Sequence, residues 1–305
     1  MVGYKTRFIV NPIADKGRAG SLAEELRPVL DSFGEVEFCA TTHATHATEL
    51  ARQAGEAGCS LVIAAGGDGT IHEVVNGLMQ VPLEARPRLG IVPIGSGNDF
   101  APMVGITGKP GETLKKAFTG EPRRMDVGMY VLGDGKPEYF NNTFGLGFDA
   151  TVTIRTLQLK RLRGYLMYLV AVLQTIAVNL DAPMMHIKTE SSSWDEETIM
   201  LVVCNGPREG GGFLVAPGAD ALDGKLNYAS VCRISRMMML RLIPEVMKGT
   251  HGRFKQVRLG ELQRIDIRAE KPVTIHADGE VICGFGSGVT HASVEIIPGA
   301  VELML

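Results

Sequence analysis

The chain has little charge of either sign to spare, few cysteines, one tryptophan and no long apolar run. Its formal net charge is −3, so its overall field gives no reason to expect nucleic acid as a partner. The five cysteines, at 39, 59, 204, 232 and 283, are odd in number and contain no C-x-x-C pair. That spacing argues against a disulfide framework and a zinc site, and makes a reducing, cytoplasmic compartment the simplest expectation. The opening residues lack the apolar core of a signal peptide, and residues 5–12 read as a strand running into an Asn-Pro turn. Tyr165 to Leu180 is uncharged, but it is shorter than the ~20 residues of a spanning helix and contains Gln174, Thr175 and Asn179. It is expected to be a buried helix, so no transmembrane segment is predicted. Internal repeats and low-complexity tracts are also missing.

What is plentiful is glycine, 37 residues in short clusters, the pattern of tight turns and close backbone approach to a ligand. In the first part of the chain, strand and helix signals alternate. Strands are expected at Phe8–Val10, Val36–Ala40, Leu61–Ala65 and Leu89–Pro93. Helices are expected at Leu22–Phe33, at Thr48–Ala57 (with Thr48 or Thr45 as N-cap) and at Ile71–Met79. This alternation predicts an α/β domain with a parallel sheet covered on both faces.

After Asp126 the pattern becomes strand-rich: 128–131, 138–142, 187–189, 198–203, 226–231, 264–268, 273–277 and 294–297. Helices interrupt near 150–180 and 235–250. The expectation is an antiparallel β-sandwich as the second domain. The domains are placed at 1–126 and 127–298, with 299–305 returning to the first.

Two glycine loops stand out. Gly66-Gly67-Asp68-Gly69-Thr70 follows an apolar strand and precedes a helix, where backbone N–H groups attract phosphate. Neither the G-K-[ST] ending of a Walker loop nor the spacing G-x-G-x-x-G is present. Pro93-Ile94-Gly95-Ser96-Gly97-Asn98-Asp99-Phe100-Ala101 follows another strand. There Ser96 offers a hydroxyl to phosphate, and Asn98 and Asp99 could orient a substrate hydroxyl or serve a hydrated metal. An Asx turn capping a helix is the plainer alternative.

Together these two motifs resemble the catalytic domain of the diacylglycerol kinase family, shared with sphingosine and ceramide kinases. Further segments agree in order along nearly the whole chain: Asn11-Pro12 with Lys16-Gly17, Thr41, Asn142 to Ala150 with Gly145, Gly147 and Asp149, and Gly210-Gly211-Gly212 with Ala216-Pro217. Asp223-Gly224-Lys225-Leu226 and His276-Ala277-Asp278-Gly279-Glu280 complete the set. Asp15 stands where the family usually has glycine, and Ser96 where threonine is commoner.

The resemblance implies an ATP-dependent kinase that phosphorylates a lipid hydroxyl, with diacylglycerol as the default acceptor and Mg2+ as the metal. It implies ATP contacts from Asn11, Pro12, Lys16, Thr41, Gly66, Gly67, Asp68, Gly69, Thr70, Glu73, Ser96 and Asn98. It makes Glu280 the base, and places Asp68, Asp99 and Asp126 near the γ-phosphate with magnesium held through water. A structural magnesium would use the Asp223 side chain with backbone groups of Asp220 and Lys225. For each acid a plainer reading exists; Asp278-Gly279 and Asp223-Gly224 are also good turn sequences.

The family takes its substrate from the bilayer surface. Arg155, Lys160, Arg161 and Arg163, and Arg233, Arg236 and Arg241 around Met237–Leu240, could meet anionic head groups. Equally, the methionines could be core and the arginines a solvated face. Phosphatidylglycerol or a sphingoid base remain alternative acceptors, and a homodimer is left open. An NAD kinase shares the Gly-Gly-Asp-Gly loop, although Ser96–Ala101 and Asp278–Glu280 argue against that reading. A non-catalytic nucleotide or lipid sensor is the alternative from another class.

Overall fold

Strand β1 (Thr6–Val10) is buried along its whole length because it lies between β2 (Val36–Ala40) and β3 (Leu61–Gly66), parallel to both. On the far side of β3 comes β4 (Arg88–Pro93), also parallel, and Leu89 of β4 pairs with Leu303 near the C-terminus. These strands come from a computed structural model that describes residues 5–159, 162 and 164–305. The chain divides into two units, Met1–Val127 with Pro298–Leu305, and Gly128–Ile297.

In the first unit, helices cover the sheet. Alternate residues Phe8, Val10, Ile63, Ala65 and Val92 pack on α1 (Arg18–Glu25), α2 (Arg27–Asp31) and, after the short α5 (Phe100–Met103), on α6 (Pro110–Thr119). Two further helices, α3 (His46–Glu56) and α4 (Asp68–Met79), pack against each other. The single helix expected over 22–33 is broken near Leu26. Pro28 has no N–H to donate to the carbonyl four residues back, so α2 restarts with proline in its first turn.

The second unit is an antiparallel β-sandwich with helices on one outer face. It receives β5 (Pro122–Leu132), which pairs with β6 (Glu138–Phe140). Next come β7 (Thr143–Gly147), α7 (Phe148–Thr156), α8 (Gly164–Val178), β8 (Met184–Thr189) and β9 (Ser193–Cys204). The long β9 serves both sheets. Residues 193–197 pair with β8, whereas residues 198–204 pair with β10 (Leu226–Cys232) and residues 200–204 with β7. After α9 (Arg236–Lys248), β11 (Val257–Leu262) pairs with β10, and β12 (Arg264–Ala269) lies between β8 and β15 (His291–Met304). The hairpin β13 (Ile275–Ala277) and β14 (Glu280–Cys283) joins through β13 to β7.

Alternation sorts β9. Leu201 and Val203 enter the sandwich core with Phe144, Ile187, Ile267 and Val294, while Met200, Val202 and Cys204 face the helical side. Covered on both faces, residues 199–204 of β9 read in sequence as an unbroken apolar run, whereas residues 193–198 do not. The helix expected over 150–180 is two helices, α7 and α8. The expectation that 165–180 is buried is also corrected: Ala171, Val172, Thr175 and Ile176 are covered, but Leu166, Leu173 and Val178 are exposed. Of the four basic residues noted around 155–163, Lys160, Arg161 and Arg163 lie outside the described residues.

A Cβ on Gly77 in α4 would sit 2.2 Å from the Thr48 carbonyl oxygen and 2.7 Å from the Ala51 Cβ in α3. Helix propensity alone would make Gly77→Ala stabilising by ~1 kcal/mol. The contact reverses that sign, because neither a carbonyl nor a helix backbone can step aside easily. Gly77→Ala is expected to lose about 1–3 kcal/mol by urea midpoint, and a gain in stability would contradict this packing.

Candidate active site

The four parallel strands of the first unit, β1 to β4, point the same way, so the loops at their C-terminal ends lie along one edge. The pairs Val10↔Ala40, Val10↔Ala65 and Gly66↔Pro93 bring Asn11, Thr41, Gly67 and the 94–99 loop to that edge. Backbone hydrogen bonds tie them: Asn11 N–H to Ala65 O at 3.2 Å, Thr41 N–H to Val10 O at 2.8 Å, and Ile94 and Gly95 N–H to Gly66 O. This is the edge of an open α/β sheet where phosphate ligands bind.

The two glycine loops touch. A Cβ on Gly95 would lie 2.3 Å from the Gly67 Cα, and one on Gly67 would lie 2.9 Å from the Gly97 carbonyl oxygen. No side chain fits at either place. The Asp68 carboxylate closes the pair by accepting the N–H groups of Asp99 (3.0 Å) and Phe100 (3.1 Å). Asn98 reaches back to bond both Gly95 N–H and Gly95 O, so it is not the helix-capping Asx turn that the sequence also allowed, and the N-cap residue of α5, Asp99, makes no side-chain cap. Ser96 and Gly97 are exposed beside it, as is Lys16, which stands between Asp15 and Gly17 in a run of three left-handed residues. Asn11 uses its side-chain oxygen to hold the Ile13 N–H, and Pro12 follows it in this turn.

Other expected ATP-contacting residues have a structural part here. Thr70 is buried over Gly66, where a Cβ would be 2.2 Å from its Oγ1. Glu73 caps α3: its carboxylate accepts Thr45 N–H and Ala47 N–H, each at 3.0 Å, and Thr48 Oγ1 donates to its carbonyl. Thr45 is the N-cap residue, but its side chain does not cap. Gly69 lies in the first turn of α4. Asp126 is buried, and its carboxylate accepts Gly299 N–H at 2.7 Å.

In the second unit, Glu280 opens β14 and is exposed. The preceding turn uses Asp278 and Gly279 at φ 50° and 82°, a hairpin conformation natural to an Asp-Gly pair. Asp278 is anchored from inside. Its carboxylate accepts N–H groups from Asn141 (2.9 Å), Asn142 (2.8 Å) and Thr143 (2.9 Å). Asp220 and Asp223 each form an Asx turn, to Leu222 N–H and Lys225 N–H, and the Lys225 ammonium pairs with Glu261 at 2.7 Å. That loop is ordered around its own carboxylates, as a sparse cation site would need.

Sequence reasoning assigned no role to a cluster that the fold assembles deeper in this unit. His276 in β13 is fully buried, with Nε2 2.7 Å from Asp149 Oδ2 and 3.3 Å from Glu209 Oε1. Gly145, paired with His276 across the ladder, leaves the room: a Cβ there would lie 2.3 Å from both Asp149 Oδ2 and His276 Nε2. The signal was present in the Gly145…Asp149 spacing, but nothing local tied it to residues 209 and 276. The three donor atoms lie within 4.8 Å of one another, the one such set of three among the described residues. At 2.7 Å the His276–Asp149 contact is a charge-assisted hydrogen bond, so these groups hold each other.

Asp149 and Glu209 also line a narrow apolar cavity of about 80 Å³ that opens to solvent. Its walls come from α7 (Phe148, Val152), α8 (Tyr168, Val172), Met200 of β9, Val231 of β10 and α9 (Met239, Leu242, Ile243, Val246).

Burial alone would lower the pKa of His276, but the Glu209 and Asp149 carboxylates outweigh it and raise the pKa to about 9. Gly279 N–H faces Nδ1 at 3.3 Å, which by itself favours a neutral ring. That contact is long and uncharged, whereas the Glu209 and Asp149 carboxylates both favour the protonated ring, so the cation prevails. A raised folded-state value stabilises fully below the ordinary 6.5 and loses that contribution as pH rises through about 9. His276 followed by NMR is therefore expected to lose its proton near pH 9, and the destabilisation caused by His276→Gln should fade over that window. A ring already neutral at neutral pH would refute the charge balance.

Known proteins are similar to this chain in sequence and in fold. Residues 5–130 match the model of the diacylglycerol kinase catalytic domain, and residues 142–305 match that of the YegS C-terminal NAD kinase beta sandwich-like domain. A Chromohalobacter salexigens protein named "Probable lipid kinase YegS-like" is 36% identical over 233 residues, 76% of this chain and 73% of that one. A diacylglycerol kinase of Bacillus subtilis is 30% identical over 285 residues, 90% of this chain and 89% of that one. A crystal structure of a diacylglycerol kinase from Bacillus anthracis superposes with a TM-score of 0.72 at 20% identity, covering 100% of this chain and 97% of that one, a likeness of fold. The chain belongs to the diacylglycerol kinase family of lipid kinases.

Proposed function

We propose that this kinase transfers the γ-phosphoryl group of ATP to the free hydroxyl of diacylglycerol, giving phosphatidic acid. The observation that carries this reading is the apolar cavity with carboxylates along its wall, in the same unit as Glu280. A nucleotide acceptor would call for polar walls, and the lining is almost wholly aliphatic and aromatic.

In this reading the first unit holds ATP. Its phosphates lie on the N–H groups at the start of α4 and on the Gly95–Gly97 loop, where side chains are excluded by contact. The chemistry of Asp68 and Asp99 suits Mg2+, which takes few carboxylates and keeps several waters; bound there, it would neutralise phosphate charge. The second unit holds the acceptor. Glu280 takes the hydroxyl proton as the lipid oxygen bonds to the γ-phosphorus and the bond to the β-phosphate oxygen breaks, releasing ADP. Its place directly after an anchored turn keeps that carboxylate in position.

Access from a bilayer is supported by the outer faces of α8 and α9. Leu166 and Leu173 on α8, and Met237 and Leu240 on α9, are exposed, at 54, 43, 75 and 39%. Arg241 and Lys248 share the exposed stripe of α9. No helix among the described residues is long and apolar enough to cross a membrane, so contact would be peripheral. The five free thiols suit a reducing compartment, which fits action at the cytoplasmic face.

The test is ATP- and magnesium-dependent phosphorylation in mixed micelles, with diacylglycerol, phosphatidylglycerol, sphingosine and NAD offered separately. Diacylglycerol is expected to be labelled. Glu280→Ala should lower kcat by about 10²–10⁴ with an unchanged melting temperature. Label on NAD alone, or full activity in the variant, would defeat this assignment.

A further inference from the structure

Glu73 is half-buried in α4, and both of its carboxylate oxygens are taken by a distant segment. Oε1 accepts Thr45 N–H and Oε2 accepts Ala47 N–H, each at 3.0 Å, where the loop after β2 enters α3. Thr48 Oγ1 adds a bond to the Glu73 carbonyl at 2.9 Å. This grip holds a strained residue. Thr45 is β-branched, yet its φ is 67° with ψ at 0°, the left-handed region that such residues rarely enter. An N-cap residue that caps through its own side chain takes an extended backbone; Thr45 does not, and Glu73 supplies the acceptor from the neighbouring helix. A strained backbone of this kind persists only where its surroundings impose it. The rest of the loop is closed as well. Thr41 N–H donates to Val10 O at 2.8 Å, Thr42 N–H donates to His46 Nδ1 at 3.1 Å, and the Thr42 hydroxyl lies 3.0 Å from His43 Nδ1. Thr41 to Ala47 is thus a shaped loop whose strained residue is held from α4.

We propose that Glu73 is a positioning residue and not an ATP contact: it fixes the loop from Thr41 to Ala47 against α4, so that a nucleotide meets Thr41 and the N-terminal N–H groups of α4 in one arrangement. This rests on the reading that the first unit holds ATP. A carboxylate aimed at phosphates would repel them; bound to two N–H groups, its charge is turned to the loop. The helix joins the two ends of the arrangement. Glu73 lies ~7.5 Å along the axis from Asp68, at the end where phosphate would sit. A loop tied to that helix keeps its register with the phosphate end. Without the grip, Thr45 relaxes to negative φ and the loop that carries Thr41 shifts, which weakens ATP binding through lost preorganisation.

The experiment titrates ATP calorimetrically into the full chain, with magnesium and without lipid, in single and double variants. Glu73→Gln keeps the length of the side chain but turns an amide N–H group toward one of the two backbone donors. It is expected to weaken ATP binding at least about tenfold. Thr45→Gly, for which the left-handed region carries no strain, should by itself change the affinity less than about threefold. In the Glu73→Gln chain it should restore the affinity to within about threefold of native. Glu73→Asp, too short to reach both donors, gives the same loss and the same rescue should Glu73→Gln fail to fold. A Glu73 that only stabilises the fold would lower the melting temperature and leave the ATP affinity of the folded variant unchanged. A Glu73 that touches ATP would lose affinity with no rescue by Thr45→Gly. Either of these results sinks this proposal alone, whereas a native chain that binds no ATP would take down the nucleotide reading and this proposal together.

Discussion

The Asp278 carboxylate accepts three successive backbone N–H groups, from Asn141, Asn142 and Thr143, and much of the second unit's site geometry hangs on it. Where a strand starts or ends, its N–H groups lose their ladder partners, and buried ones must find acceptors elsewhere. In this chain carboxylates recur as the answer. Glu73 takes Thr45 and Ala47, Asp68 takes Asp99 and Phe100, and Asp126 takes Gly299. A charged acceptor makes stronger bonds than a neutral one, and two oxygens can reach several donors at once. The glycine loops and the turn before Glu280 are therefore held by ionic hydrogen bonds where their own short side chains could not hold them.

That economy explains what could and could not be read from the sequence. The strands were legible because their apolar runs and the turns between them are local. So was the site edge, since Gly66–Thr70 and Gly95–Ala101 each follow a strand. Whether a given carboxylate faces ligand or backbone was not legible. Glu73 and Thr45 are far apart in sequence, and only the packing of α3 on α4 brings them together. The same holds for Glu209 and His276, which meet because β13 pairs with β7 while the 209 loop folds back on itself. The burial of α8 was misjudged for a different reason. Hydropathy registers that a segment is apolar, but not whether its partner is protein or something outside the protein.

Glycine and acid work together at both sites, with opposite effects. At Gly67 and Gly95 the absence of side chains lets two loops close against each other. At Gly145 the same absence lets an imidazole meet a carboxylate, concentrating negative charge inward at an apolar wall. A buried carboxylate is costly unless paired, and His276 pairs two of them at once. A core built for stability alone would gain by replacing the three with apolar side chains, which makes their retention beside a cavity informative.

The helices that line this cavity are the ones with apolar outer faces. Val172 of α8 and Met239 and Leu242 of α9 face inward, while Leu166, Leu173, Met237 and Leu240 lie outward on the same two helices. A helix apolar on both sides has no stable orientation at a simple water boundary, because burying one face leaves the other exposed. Both faces are satisfied if the outer one meets lipid and the inner one receives a lipid chain. Uncharged α8 then needs no polar face at all, and the basic residues fall to α9, where Arg241 and Lys248 flank the exposed apolar stripe. On the proposed function, the distribution of charge between two neighbouring helices would follow from one requirement, that an acyl chain pass from a bilayer into protein without crossing water.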